Sequence, residues 1–271
     1  MSPSLVTVLA VDLAVLIGVT TLLWLVSLRL KDASIVDIFW GLGFVITAWV
    51  TRAQLEAPSG SSIILPIAAT LWGLRLSLYL GKRNLAPGHG EDKRYQAMRA
   101  RRPDTFARWS LFAIFWFQGV LCLIVALPLV VGQWAPRPAD LPAQHPLELI
   151  GFGIFLTGLA IQAIADQQLA RFKRDPNNAG QVMDQGLWRY SRHPNYFGEA
   201  LLWWGVYLCV VPIPDARWTV VGPLLITFLL LKVSGVALLE KTIVDRRPKY
   251  ADYIRKTSAF IPWPPRRDGS R

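Results

Sequence analysis

The chain has 271 residues, of which 53% are apolar, 11% aromatic and only 17% charged, yet its formal net charge is +11. A soluble chain carries about a quarter charged residues, so this low total, a mean hydropathy of +0.35 and the basic excess point to a membrane protein with cationic loops. A disordered chain is excluded by the abundance of Leu, Val, Ile and Trp, and the hydropathy argues against a nucleic-acid binder.

A membrane-crossing helix needs roughly 20 mostly apolar residues. In chain order such stretches fall at about 4–28, 34–51, 61–81, 110–132, 147–166, 196–213 and 218–239, followed by a tail over 240–271. The first is too long for a secretory signal and lacks both a basic n-region and an A-x-A-type cleavage site, so it is expected to stay as a helix. The expectation is an all-α integral membrane protein, a single domain built as a seven-transmembrane-helix bundle. Cys122 and Cys209 lie alone in apolar runs, so neither a thiolate metal site nor a disulfide framework is expected.

The loops give an orientation. Segments after the first, third, fifth and seventh stretches hold 2, 8, 5 and 9 Lys and Arg residues, whereas the N-terminus and the other three segments hold 0, 1, 1 and 1. Positive residues resist translocation and meet an anionic leaflet. The N-terminus is therefore expected outside and the C-terminus in the cytoplasm. Arg99, Arg101, Arg102 and Arg108 read as a solvated, lipid-facing face. The segments 82–109, 167–195 and 240–271 are long enough to cap the bundle.

Charges inside a span cost several kcal/mol near the bilayer centre and usually face a cavity or a partner. Here they are Asp12, Asp37, Arg75, Glu199 and Lys232, with Asp166 and Glu240 expected at cytoplasmic helix ends. Asp37 and Arg75 sit at comparable depths on consecutive helices and are expected to pair. Glu199 falls in the first turn of its helix, where a carboxylate complements the dipole. Five such groups suggest an internal polar cavity, the layout of an intramembrane enzyme or a transporter.

The richest window is Gly186-Leu-Trp-Arg189-Tyr190-Ser-Arg192-His193-Pro194-Asn195-Tyr196-Phe-Gly198-Glu199. Pro194 suits a helix start, and Asn195 with the free N–H groups beyond it can meet an anion. Arg189 and Arg192 can grip phosphate or carboxylate bidentately. Asp166, Arg171, Lys173 and Arg174 add polar groups just upstream. Gly151-Phe-Gly153 has no preceding strand and no third glycine in place, so close helix packing accounts for it better than a dinucleotide fingerprint. The twelve Trp residues suit interfaces and packing. HExxH, Walker and GxSxG motifs are absent from the sequence.

The stretch RHPNYFGE resembles the signature of the steroid 5-alpha-reductase-like membrane superfamily, whose relatives include sterol C14 and C7 reductases and isoprenylcysteine carboxyl methyltransferases. The chain is most similar to a bacterial branch of unassigned function. Gly90-Glu91-Asp92-Lys93-Arg94-Tyr95 and the tail from Arg246 through Tyr253 to Trp263 carry the likeness further. The resemblance implies seven helices and NADPH in the cytoplasmic half, under a cap of loops. It places Asn195, Tyr196 and Glu199 in the cofactor motif, with Asp166 and Lys173 upstream. Arg192 and His193 match the sterol-reductase and methyltransferase version, and Arg246 and Tyr253 are further contacts to the cofactor or to the cap.

Two departures stand out. Where steroid reductases hold the 3-keto group with a Gln-Glu pair and a tyrosine, this chain has Val36-Asp37 and Trp72. Trp72 cannot act as a general acid, and Tyr79 and Tyr95 are the nearest phenols. The expected activity is NADPH-dependent reduction of an activated C=C bond in a lipophilic, steroid-, sterol- or isoprenoid-like substrate. Asp37, Glu199 and Tyr95 form the catalytic set, and Asp166, Lys173, Arg189, Arg192, His193, Asn195, Tyr196, Glu199, Arg246 and Tyr253 the cofactor set. The alternative is an S-adenosylmethionine-dependent methyltransferase acting on a membrane-associated acceptor. A third possibility is a carrier that keeps only the scaffold. The expected partners are the lipid bilayer and a lipophilic small molecule, with no metal and no nucleic acid, in a bacterial inner membrane.

Overall fold

The computed structural model describes residues 3–56, 60–86, 88, 90–142, 145–233 and 250–266; Glu240 and Arg246 lie outside them. Every regular element among the described residues is helical. Helices α1 (Leu5–Leu30), α2 (Ile35–Gln54) and α3 (Ile64–Asn84) come first, then a short α4 (Lys93–Ala100). One apolar run follows, made of α5 (Phe106–Ser110), a π-helical stretch over Leu111–Trp116 and α6 (Phe117–Val125). α7 (Leu127–Trp134), α8 (Pro146–Arg174), α9 (Pro194–Val210), α10 (Val221–Phe228) and α11 (Tyr250–Lys256) follow among the described residues.

Among the described residues, six helices are long and apolar enough to cross a membrane: Leu5–Leu30, Ile35–Gln54, Ile64–Asn84, Phe106–Val125, Pro146–Arg174 and Pro214–Val233. The stretch expected as the sixth span, 196–213, folds as α9, whose 17 residues rise about 26 Å against a hydrocarbon core of roughly 30 Å. The expected span 110–132 is also revised. Its helix begins at Phe106 and stops at Val125, and α7 restarts with Pro128 in its first turn, where the missing N–H costs nothing. The helix expected to end at 166 continues to Arg174, so Asp166 lies inside it rather than at its end. Its start is fixed by a capping box between His145 and Glu148, and Arg171, Lys173 and Arg174 complement the dipole in its last turn.

The chain divides into two units, residues 1–144 with 213–221 and residues 145–212 with 222–271. In the first, α2 and α3 approach at Gly41 and Gly73, where a Cβ on either glycine would collide with the other's carbonyl oxygen. Phe44 meets Trp72 edge-on at 5.2 Å beside that crossing, so Trp72 is buried packing. Trp24 donates to the Ala107 carbonyl at 2.8 Å, and Trp116 to Thr21 Oγ1 at 2.9 Å, tying α1 to the run over 106–125. Ala33, Val36, Tyr95, Phe106, Ile114 and Phe115 form a buried core cluster.

In the second unit, α8 and α9 run antiparallel along paired glycines. Gly151 lies against Gly205, and Gly158 against Gly198, seven residues apart on each helix. A Cβ on Gly158 would stand 2.5 Å from the Leu202 nitrogen and 2.6 Å from the Gly198 oxygen. Small residues at a helix crossing let backbones approach this closely. Gly153 has open space beside it, so only the first glycine of the Gly151-Phe-Gly153 pair serves packing.

Candidate functional sites

In the first unit, the loop before α4 is built around the turn that joins α1 to α2. Gly90 adopts φ +63°, a left-handed conformation that suits glycine. Glu91 then accepts from the Ala33 N–H at 2.8 Å and is gripped by both Arg99 Nη2 (2.7 Å) and Nε (3.0 Å). Asp92 caps α4 by accepting from the Arg94 N–H at 2.9 Å, and its own N–H donates to Ser34 Oγ at 3.3 Å. These anchors aim the next two side chains at α2. Arg94 Nη2 reaches Asp37 Oδ2 at 2.7 Å, and the Tyr95 hydroxyl donates to Asp37 Oδ1 at 2.7 Å. Gln118 Nε2 donates to the Tyr95 oxygen at 3.4 Å.

Electrostatics keep this cluster in a defined protonation state. Burial, then the neighbouring Asp37 carboxylate, pushes the Tyr95 phenol well above the ordinary tyrosine range. Burial alone would raise the Asp92 carboxyl, but hydrogen bonds from the Arg94 side chain and backbone outweigh it and hold Asp92 below the usual range. The cluster thus holds a neutral phenol whose hydrogen is directed at the Asp37 carboxylate.

The expected Asp37–Arg75 ion pair is replaced by Asp37–Arg94, because the loop before α4 brings its own guanidinium to the start of α2. Arg75 instead lies 5.8 Å from the ring centre of Tyr79, one turn further along α3. The expected single polar cavity is also revised. Asp12 accepts from Thr51 Oγ1 at 2.7 Å and Gln54 Nε2 at 3.1 Å. Thr51 lies 14 residues along α2 from Asp37, about 21 Å at 1.5 Å per residue. Asp12 and Asp37 therefore belong to separate clusters, and Lys232 is exposed.

In the second unit, two polar rungs continue the glycine ladder of α8 and α9. Gln162 Nε2 donates to Glu199 Oε2 at 3.1 Å, and Asn195 Nδ2 donates to Asp166 Oδ1 at 3.2 Å. The rungs are one helical turn apart on both helices. A carboxylate only accepts, so Asn195 must turn its amide nitrogen to Asp166. That leaves Asn195 Oδ1 shielded from solvent and accepting no hydrogen bond. His193 precedes α9 and stacks on Tyr196 with ring centres 5.5 Å apart and planes 1° from parallel. Lys173 and Arg189 are exposed, on the last turn of α8 and on the 3-10 turn Gly186–Arg189.

The motif is held in shape by the tail. Tyr253 on α11 donates to the Trp188 carbonyl, Ser191 Oγ donates to the Phe260 carbonyl at 2.8 Å, and Arg192 N–H donates to the Ser258 carbonyl at 2.8 Å. The Arg192 guanidinium donates to the Ile254 and Thr257 carbonyls. Arg192, expected at the cofactor, and Tyr253, expected at the cofactor or the cap, are thus engaged in joining the tail to the motif. Missing from the sequence-derived site are Arg94, Asp92, Glu91, Gln118 and Gln162. The first three lie in the quoted GEDKRY stretch, while the two glutamines carry a signal as polar residues in apolar spans. Among the described residues, no group of His, Cys, Asp and Glu could hold a metal ion.

The fold and these clusters define a helical membrane protein with an oriented phenol–carboxylate pair in one unit and paired polar rungs in the other. The chain belongs to the DUF1295 family, described as a protein of unknown function, whose model matches residues 23–257, and that family is steroid 5-alpha-reductase-like. No curated protein and no solved structure matched the chain.

Proposed function

We propose that the protein is an NADPH-dependent reductase of an activated C=C bond in a lipophilic substrate. The observation that carries this reading is the buried Asn195 Oδ1, an acceptor without a donor beside the Asp166 and Glu199 carboxylates. Leaving such a group unmet costs about 1–3 kcal/mol, so a ligand N–H is the chemistry that fits it, and a nicotinamide carboxamide carries one. Bound NADPH would supply a hydride to the alkene carbon remote from the carbonyl.

The chain's own residues take the remaining roles. Asn195 and Glu199 orient the carboxamide, Asp166 fixes the rotamer of Asn195, and Gln162 fixes that of Glu199. Lys173 and Arg189, both exposed cations, meet the phosphates. In the first unit Tyr95, its hydroxyl turned from Asp37 to the substrate carbonyl, passes on one proton, and water returns that proton to the phenolate, so one hydride and one proton complete the reduction. The cofactor side and both termini with it follow the loop charges: N-terminus outside, C-terminus in the cytoplasm.

One observation favours the second reading, methyl transfer from S-adenosylmethionine. The Arg192 guanidinium, expected at phosphates, donates to the tail carbonyls, and S-adenosylmethionine carries no phosphate. The two readings separate in one assay on the reconstituted protein, with either cofactor and a panel of lipophilic enones. Reduction predicts NADPH consumption matched by saturated product. Methylated product without NADPH consumption would reverse the assignment.

A further inference from the structure

The tail borders a half-open pocket of about 350 Å³ in the second unit, whose lining includes neither Asn195 nor Glu199. Its titratable lining residues are Arg192, Lys256, Arg266 and Arg255, the last paired with Asp252 on α11. Thr257 contributes to the wall, and the Arg266 N–H donates to the Lys256 carbonyl at 2.9 Å, closing the loop 256–266 on itself. Trp263 also lines the cavity and is 69% exposed, and Ile261 nearby is 63% exposed. Large apolar side chains held out beside a ring of cations are unusual on a surface facing only water.

The loop's position explains them. It is bonded to Tyr190, Ser191 and Arg192, and Phe260 meets Phe197 in the first turn of α9 at 5.8 Å. α9 in turn packs along the apolar part of α8 through the glycine ladder. The cavity therefore lies beside the end of α8 where apolar sequence gives way to Asp166, Arg171, Lys173 and Arg174. That is the level at which a bilayer's headgroups begin, where Trp is favoured and Lys and Arg meet anionic lipid.

We infer that this cavity is a binding site for the phosphate headgroup of an anionic membrane phospholipid, with Trp263 and Ile261 set into the interface beside it. Arg192 lines the cavity and is bonded to the tail, so an occupied site steadies the segment that leads into α9. This assignment stands independently of the reductase reading, since it requires no cofactor.

The test uses the full-length protein in nanodiscs of phosphatidylcholine mixed with phosphatidylglycerol, with retained lipid counted by native mass spectrometry. The wild type is expected to retain phosphatidylglycerol selectively. Each cation near an anionic surface is worth about fivefold in attraction, so replacing Arg255, Lys256 and Arg266 together by Ala should weaken that selectivity about a hundredfold. A control replacing the exposed Lys93, Arg101 and Arg108 by Ala should keep it. If the triple variant does not fold, the exposed Arg266→Glu alone gives the same reading. Unchanged selectivity in the tail variant, or equal loss in the control, overturns the assignment. So does a tail variant that loses NADPH binding while still retaining phosphatidylglycerol, which would make the cavity a nucleotide-phosphate site.

Discussion

Tyr95 donates its hydroxyl hydrogen to Asp37 at 2.7 Å, joining α4 to the first turn of α2. The residues are 58 positions apart in sequence, and the anchors that join them, Glu91 and Asp92, do so through the turn between α1 and α2. Tyr95→Phe removes the hydroxyl while keeping the ring in its core cluster. In the enone assay it should lower turnover by about 10²–10⁴-fold, the usual weight of a general acid, with the fold intact by circular dichroism. Turnover within a few-fold of wild type would remove Tyr95 from the chemistry.

The same residue gives a spectroscopic signature. The folded phenol titrates above the unfolded one, so its contribution to stability is complete below about pH 10 and is lost as pH rises through the folded value. Tyr95 should ionise late in an ultraviolet titration, and Tyr95→Phe should remove one tyrosine from that late step.

Asp92 makes the opposite prediction at low pH. Its folded carboxyl titrates below the unfolded one, so its contribution is full above the ordinary value of about 3.9 and is lost as pH falls through the folded value. Asp92→Asn keeps a capping side chain but removes the charge. The melting temperature of the variant should fall less than that of the wild type on acidification; parallel curves would show that Asp92 contributes nothing to acid sensitivity.

The glycine ladder can be tested by contrast. Gly158→Ala places a Cβ against the α9 backbone and should destabilise the protein by about 1–3 kcal/mol, as overpacking does. Gly153→Ala meets nothing within 4 Å and should gain up to about 1 kcal/mol from helix propensity. Thermal unfolding in one detergent ranks the three proteins, and equal melting temperatures would contradict the close crossing.

Hydropathy alone was enough for the helical membrane class, since apolar runs of about 20 residues are set by bilayer thickness and little else. Where the reading failed, tertiary context decided. Ala126 and Pro128 divide a run that hydropathy sees as continuous, and the polar end of α8 extends past Asp166 because nothing local stops a helix that ends in Arg171, Lys173 and Arg174. Of the candidate sites, the grouping of Asp166, Asn195 and Glu199 was legible through the family resemblance that the RHPNYFGE stretch carries. The partner of Asp37 was not. Depth along a helix suggested Arg75, but the pairing depends on a loop that folds back on the α1–α2 turn, which helical periodicity does not record. The role of the Arg192 guanidinium was equally hidden, because its acceptors are backbone carbonyls more than sixty residues away.

The most direct test of the proposed function is the affinity of the reconstituted wild type and of Asn195→Ala for NADPH and for S-adenosylmethionine, measured by titration calorimetry. The account predicts that the wild type binds NADPH, that Asn195→Ala binds it about tenfold more weakly through loss of one hydrogen bond, and that S-adenosylmethionine gives no heat. Binding of S-adenosylmethionine alone, or NADPH affinity unchanged by Asn195→Ala, would contradict it.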